Sequence, residues 1–341
     1  MTEEILSGVR CTNNKKSFYR KTALFCCFVL LCTAVTGCGQ KKYTFAYDPD
    51  TTVTAFRVTE NSRAEAYAPF ASSLCVADTD IAGSGNVNMD EASAAGLFDL
   101  NRHEVLYAKN IHEKLYPASL TKVMTALVAL KYGNPEDIIT VTANAQITES
   151  GAQLCGLKEG DHLTLDQALH ALLIYSANDA GVAIAEHIGG SVEGFAEMMN
   201  AEAVAIGATN SHFMNPHGLQ DDNHYVTAYD MYLIFNEAMK YDLFTEIIHM
   251  NSYSTTYTDK NGDKKELDFQ TTNQYLKGVY ETPDNITVIG GKTGTTNAAG
   301  NCLILLSRDV SGNPYISVIL RSSERSKLYE QMSQLLLEIQ K

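Results

Sequence analysis

Basic residues are scarce in this chain. Its 341 residues carry 26 Lys and Arg against 40 Asp and Glu, a formal charge of −14. So acidic a chain repels a phosphate backbone, which excludes nucleic acid as a partner. No apolar run reaches the ~20 residues that a spanning helix needs. The nine histidines form no His-Glu-x-x-His, which excludes that class of zinc hydrolase. There is no Cys-x-x-Cys. Beyond residue 38 the cysteines are Cys75, Cys155 and Cys302, far apart and odd in number. They read as isolated core residues, not as a disulfide framework or a metal site. No internal repeat and no long low-complexity tract is present.

What is present reads as a globular protein with room for one large domain or two ordinary ones, at 45% hydrophobic and 19% charged. The N-terminus reads as an address. Lys15, Lys16, Arg20 and Lys21 precede an apolar run over residues 22–35, the pattern of an export signal. The run ends at Val35-Thr36-Gly37-Cys38, which resembles a bacterial lipobox. Residues 1–37 are therefore expected to be a lipoprotein-type signal peptide, with Cys38 the lipidated first residue of the mature chain. Two or more acyl chains hold a membrane stably where one does not. Removing residues 1–37 takes away five basic and two acidic residues, so attachment rests on lipid and not on a basic patch. Residues 38–69 are polar and read as a tether with a contour on the order of 100 Å, within which residues 43–47 have the pattern of an edge strand. The domain proper is expected over residues 70–341.

Along that domain, residues 73–77 read as a short strand, and residues 95–100 and 104–108 as a hairpin. An apolar-periodic run from Val123 to Leu130 reads as a helix that Gly133 stops. Residues 137–142 read as a strand. Thr164 and Gln167 form a capping box for a helix to about Tyr175. Further helices are expected over residues 180–188, 191–207 and 227–241. The last hundred residues turn to strands: 252–257, then a hairpin signal at Asn261-Gly262, then 286–289, 302–307 and 315–320. A final helix spans about residues 323–339. Strands at both ends with helices between predict an α+β fold, one antiparallel sheet flanked by helices, with an inserted all-helical subdomain.

Three short motifs carry chemistry. Ser119 and Lys122 are three apart at a helix start, so they share a face, with the serine at the positive end of the dipole. A serine nucleophile with a lysine base needs that geometry; a helix cap with a surface lysine has the same spacing. Ser176-Ala177-Asn178 follows the capped helix and can present two polar side chains to one cleft, although loops use these residues for turns as well. Gly290-Gly291-Lys292-Thr293-Gly294-Thr295 invites a phosphate-loop reading. That reading fails, because Ile286 stands where the pattern needs glycine and no helix follows. A Lys-Thr-Gly on a strand instead offers a cation, a hydroxyl and bare backbone to an extended, carboxylate-ended ligand.

In this order the three motifs resemble those of penicillin-recognising serine enzymes. The stretches PASLTKVMTALVAL, GLKEGDHLTLDQALHALLIYSANDA, FMNPHGL and GGKTGTTNAAGNCL resemble the serine D-Ala-D-Ala carboxypeptidases, the low-molecular-weight penicillin-binding proteins, from about residue 70 onward. The resemblance implies a β-lactamase/transpeptidase-like fold and removal of the terminal D-alanine from peptidoglycan stem peptides through an acyl-enzyme. It implies β-lactams as covalent inhibitors, no cofactor and no metal. Ser119 would be the nucleophile, Lys122 its base, and Ser176 the proton relay beside Lys292. Asn178 would orient the acyl-side amide. Lys292 and Thr293 would receive the terminal carboxylate, the bare backbone at Gly294 would let the substrate lie close, and the N–H groups of Ser119 and Thr295 would form the oxyanion hole. His217 is expected to fix a loop, and Asp179 to fix a loop or cap the next helix. The extra C-terminal β-domain and amphipathic helix of many members are expected to be absent, with the N-terminal lipid holding the protein on the outer face of the bacterial cytoplasmic membrane. Two alternatives remain. A class A β-lactamase is disfavoured by the lack of a Glu-x-x-Leu-Asn between Asn178 and Lys292. A non-catalytic peptidoglycan or β-lactam sensor is disfavoured by the complete triplet.

Overall fold

The computed structural model describes residues 71–84 and 87–340. The expected signal peptide, Cys38, the tether and the strand at residues 43–47 lie outside the described residues.

Five antiparallel strands form the main sheet in the order β2-β1-β9-β8-β7. They are β1 (Ala92–Asp99), β2 (Glu104–Lys109), β7 (Thr287–Thr296), β8 (Gly300–Arg308) and β9 (Pro314–Ser322). Both faces of this sheet are covered, so its strands read as continuous apolar runs rather than as an apolar–polar alternation. In β8, Cys302, Ile304 and Leu306 enter the core shared with the inserted segment. The alternate residues Leu303 and Leu305 enter a second core with Leu328, Met332 and Leu335 of the terminal helix α7 (Arg325–Leu337). That is the period-two rule of a strand applied to a two-sided sheet.

The insertion between β2 and β7 holds six helices: α1 (Thr121–Tyr132), α2 (Leu165–His170), α3 (Asn178–Gly189), α4 (Val192–Ala205), α5 (Ala228–Ala238) and α6 (Asp242–His249). Their starts follow the sequence. The Thr164 and Gln167 capping box is made in full, Ser191 caps α4 and Thr227 caps α5. Gly133 ends α1.

Three expectations are corrected. The insertion is not all helical: β3 (Ile138–Thr140), β4 (His162–Thr164), β5 (Ser252–Thr258) and β6 (Lys264–Gln270) form a second antiparallel sheet in the order β3-β4-β5-β6. The sequence marks β3 and β5 directly and β6 by its turn, but not β4; which sheet a strand joins is decided by long-range pairing. Residues 73–77 form no strand. Cys75 N–H instead donates to the Tyr232 hydroxyl at 2.9 Å, and the first pairing with the main sheet is the bridge of Ile81 to Ala108. The helix expected over residues 227–241 ends at Ala238, and a separate helix follows from Asp242.

Candidate active site

Ser119 stands on a single 3-10 turn (Ala118–Leu120) that leads into α1. The residue before it, Ala118, has a positive φ of 47°. A side-chain-bearing residue held there costs about 1–3 kcal/mol, and such strain persists only where surrounding structure enforces it. Two glycines do so. Gly218 has φ +84°, and a Cβ on it would lie 1.8 Å from the Ala118 carbonyl oxygen. Gly294 of β7 is packed so closely that a Cβ would lie 2.9 Å from Ser119 N. Bare backbone on both sides thus clamps the turn.

Lys122, one helical turn on, is fully buried, and its Nζ is 2.9 Å from Ser119 Oγ. The same nitrogen is 2.6 Å from Asn178 Oδ1 and 2.7 Å from the His217 carbonyl oxygen. Those two oxygens only accept. A neutral amine gives its two N–H bonds to them and leaves its lone pair for the Ser119 hydroxyl hydrogen. The neutral form is favoured, because burial and then the nearby Lys292 cation push the Lys122 pKa well down, against a smaller opposing pull from Asp179. Among the described residues no carboxylate is in ion-pair contact with either lysine.

Ser176 reaches the same cleft through an irregular helix end. After α2 the chain widens into a π turn (Ala171–Tyr175) and stops at Ser176 in the left-handed conformation, φ 70° and ψ 33°. Ala177 N–H then donates to the Ala171 carbonyl at 3.0 Å. Wide turns and left-handed residues of this kind gather at functional sites. Lys292 Nζ donates to Ser176 Oγ at 2.8 Å and to the Thr293 carbonyl at 2.9 Å. Burial alone lowers the Lys292 pKa to about 7. The Thr293 hydroxyl is 2.6 Å from that of Thr272.

The three motifs therefore converge: Ser119 and Lys122 from α1, Ser176 and Asn178 from the α2–α3 junction, and Lys292, Thr293, Gly294 and Thr295 from β7. Strand β7 is the edge of the main sheet. Two cavities meet along it, of 390 Å³ and 520 Å³, and Ser119 and Thr295 line both.

The supporting residues divide into the expected and the missed. Asp179 fixes a loop, accepting from the N–H groups of Cys155, Gly156 and Leu157 and from its own helix at Ala180. His217 also fixes a loop, its Nδ1 accepting from Leu219 N–H. Burial holds its pKa down at about 3. Cys75 and Cys302 are buried and free, whereas Cys155 is only half-buried, on the loop that Asp179 holds. Sequence reasoning missed Thr272, Lys277 and Arg325, which line the smaller cavity, because no spacing marks them. It also missed the His217 carbonyl, a backbone group with no signature. Among the described residues no group of three or more His, Cys, Asp or Glu is placed to hold a metal ion, and no helix is long and apolar enough to cross a membrane.

Comparison with known proteins gives a consistent picture. The family model described as D-alanyl-D-alanine carboxypeptidase matches residues 84–324. The D-alanyl-D-alanine carboxypeptidase DacF of Bacillus subtilis is 37% identical over 219 residues, covering 62% of this chain and 53% of that protein. DacC of Escherichia coli is 35% identical over 224 residues, covering 63% of this chain and 52% of that protein. The chain thus spans about half the length of these relatives. The crystal structure of the Streptomyces K15 DD-transpeptidase superposes with a TM-score of 0.68 at 24% identity, over 76% of this chain and 98% of that one. That likeness shows the fold to be of the transpeptidase kind.

Proposed function

The chain belongs to the D-alanyl-D-alanine carboxypeptidase family, and we propose that it is a serine carboxypeptidase removing the terminal D-alanine from peptidoglycan stem pentapeptides. The observation that carries this reading is the 2.9 Å approach of Lys122 Nζ to Ser119 Oγ, with Lys292 as the second cation. A serine hydroxyl is a weak nucleophile until a base adjoins it, and a buried lysine relieved of its proton is such a base.

In the proposed cycle Ser119 Oγ attacks the carbonyl carbon between the two D-alanines while its proton passes to Lys122 Nζ. The N–H groups of Ser119 and Thr295 stabilise the oxyanion. That both residues line both cavities supports this role. Collapse breaks the peptide bond, and the leaving nitrogen takes a proton by way of Ser176, beside Lys292. Water, deprotonated in turn by Lys122, releases the shortened peptide. Asn178 orients the acyl-side amide. Lys292, Thr293 and the bare Gly294 receive the terminal carboxylate, with Arg325 as a further cation in that cavity. β-Lactams would acylate the same serine.

The domain layout belongs to this proposal: a signal over residues 1–37, lipid on Cys38, a tether over 38–69 and the catalytic domain over 70–341, on the outer face of the bacterial cytoplasmic membrane. The deciding experiment is mass spectrometry of the purified protein with penicillin, with Ser119→Ala as control. One penicillin added at Ser119 is expected; no adduct, or an adduct that survives in Ser119→Ala, overturns the reading. For the anchor, Cys38→Ala is expected to abolish incorporation of labelled fatty acid.

A further inference from the structure

Lys122 Nζ is held by two side chains, those of Ser119 and Asn178, and by one backbone group, the His217 carbonyl at 2.7 Å. The side chains are placed by the elements that bear them, whereas a loop carbonyl needs something to aim it. Asn215 supplies part of this. Its Oδ1 accepts from the N–H groups of His217 and Gly218 at 3.3 and 2.7 Å, and its Nδ2 donates to the Leu219 carbonyl at 3.1 Å. These bonds close the loop on itself, but none ties it to α1.

Thr125 makes that tie. It follows Lys122 by three residues on α1, so the two side chains share a face. Thr125 is fully buried, and its Oγ1 donates to the carbonyl of the buried Pro216 at 2.6 Å. A hydroxyl has one hydrogen to give, and the Thr121 carbonyl, at 3.4 Å, is the more distant acceptor. Two successive carbonyls of the loop, those of Pro216 and His217, are thus pinned to two successive turns of α1. Behind the first stands Gly181 of α3, where a Cβ would lie 3.5 Å from the Pro216 oxygen.

We propose that Thr125 is a positioning residue for acylation of Ser119: by holding the Pro216 carbonyl it aims the His217 carbonyl at Lys122 Nζ, and so turns the lone pair of the amine toward the serine hydroxyl. This rests on the carboxypeptidase reading above, in which Lys122 is the base. Two fixed acceptors, Asn178 Oδ1 and the His217 oxygen, define the rotation of a neutral amine. With one of them loose, an N–H can swing toward the serine in place of the lone pair. Proton transfer is sensitive to such misplacement, and an error of about 1 Å can cost roughly 100-fold. The ionisable groups that act on Lys122 or are acted on by it are Lys292 on β7, Asp179 on α3, and His217 and His224 on the loop before α5. Among the described residues Thr125 makes no hydrogen bond to any of their side chains.

The test is stopped-flow acylation by a fluorescent penicillin, which separates the limiting rate constant from the preceding binding step. Thr125→Ala and Thr125→Ser both lose the methyl, and only Thr125→Ala loses the hydroxyl. In Thr125→Ala the limiting rate constant is expected to fall about tenfold, with the binding step unchanged because Thr125 lines neither cavity. A carbonyl bonded to an ammonium favours the charged form, so loosening it is also expected to move the acid limb of the rate to lower pH. Thr125→Ser is expected to restore both. A merely structural role would lower the melting temperature and the amplitude of acylation, and leave the rate constant and the acid limb where they are. Should Thr125→Ala fail to fold, Thr125→Val, which keeps the bulk, takes its place. An unaltered rate constant with an unmoved limb overturns the inference and leaves the carboxypeptidase reading intact. So does a Thr125→Ser protein as slow as the variant without the hydroxyl. No acylation of the unaltered protein overturns that reading and the inference with it.

Discussion

Two buried lysines, with no carboxylate partner among the described residues, set the chemistry around Ser119. Each is costly: desolvation opposes the charged form, and each lowers the number of protons the folded state holds. Burial first, and then the proximity of Lys292, lowers the Lys122 pKa and suits it to act as a base. Replacing Lys292 by Met removes the second cation, so the Lys122 pKa rises. The acid limb of penicillin acylation against pH is then expected to move to higher pH; stopped-flow acylation of Lys292→Met checks this, and an unmoved limb refutes the coupling. Lys122→Met, which keeps volume, is expected to abolish labelling by fluorescent penicillin while the circular dichroism spectrum is retained. Normal labelling of that variant sinks the assignment of the base. These residues were legible because side chains three apart on a helix, or two apart after one, leave a spacing in the sequence. The His217 carbonyl was not, because it acts through backbone. Arg325 was not either, because it reaches the cavity from the far end of the fold.

At the scale of elements, the site depends on places where regular structure is broken. The apolar spacing predicts a helix through to Tyr175, and the chain is helical there. The widening into a π turn and the left-handed Ser176 leave no periodic mark, since they depend on what packs against the turn. The positive φ of Ala118 was equally invisible, yet its support lies in two glycines that the sequence displays without explaining. Gly218→Ala tests that support. The new Cβ meets the Ala118 carbonyl, and φ +84° is unfavourable for alanine. A loss of about 1–3 kcal/mol is expected, together with displacement of the turn that bears Ser119. Thermal melting should register the first. Penicillin acylation, measured well below the new Tm, should register the second. Slowed acylation in a fully folded variant is the result that separates a brace of the nucleophile from a mere packing residue. Acylation at the unaltered rate refutes the brace.

On the scale of the whole molecule, the continuous apolar run of β8 and the apolar spacing of α7 fit a sheet covered on both faces. The partition of the nine strands among the described residues into two sheets was not announced, because pairing between distant segments is a tertiary choice. The same tertiary packing buries His224 between the Ser119 helix and the loop before α5, and this makes the fold sensitive to acid. Met214 N–H donates to His224 Nδ1 at 3.2 Å, so Nδ1 must be an acceptor. Nε2 then carries the hydrogen and donates to Thr121 Oγ1 at 2.8 Å. A second proton would set N–H against N–H. Burial already lowers the His224 pKa from 6.5 to about 4. The sign follows. The unfolded chain takes up this proton as pH falls through 6.5, and the folded protein only near 4. The unfolded state therefore binds more protons in that window, and stability falls as pH falls. The loss across the window is roughly 3 kcal/mol, and His217, buried with a pKa of about 3, acts in the same direction. His224→Asn keeps an acceptor for Met214 N–H and removes the titration. Urea unfolding at pH 7 and at pH 4.5 is expected to show a less stable protein at pH 7 but a flatter dependence on pH. An unchanged difference between the two pH values in the variant would place the acid sensitivity elsewhere in the molecule.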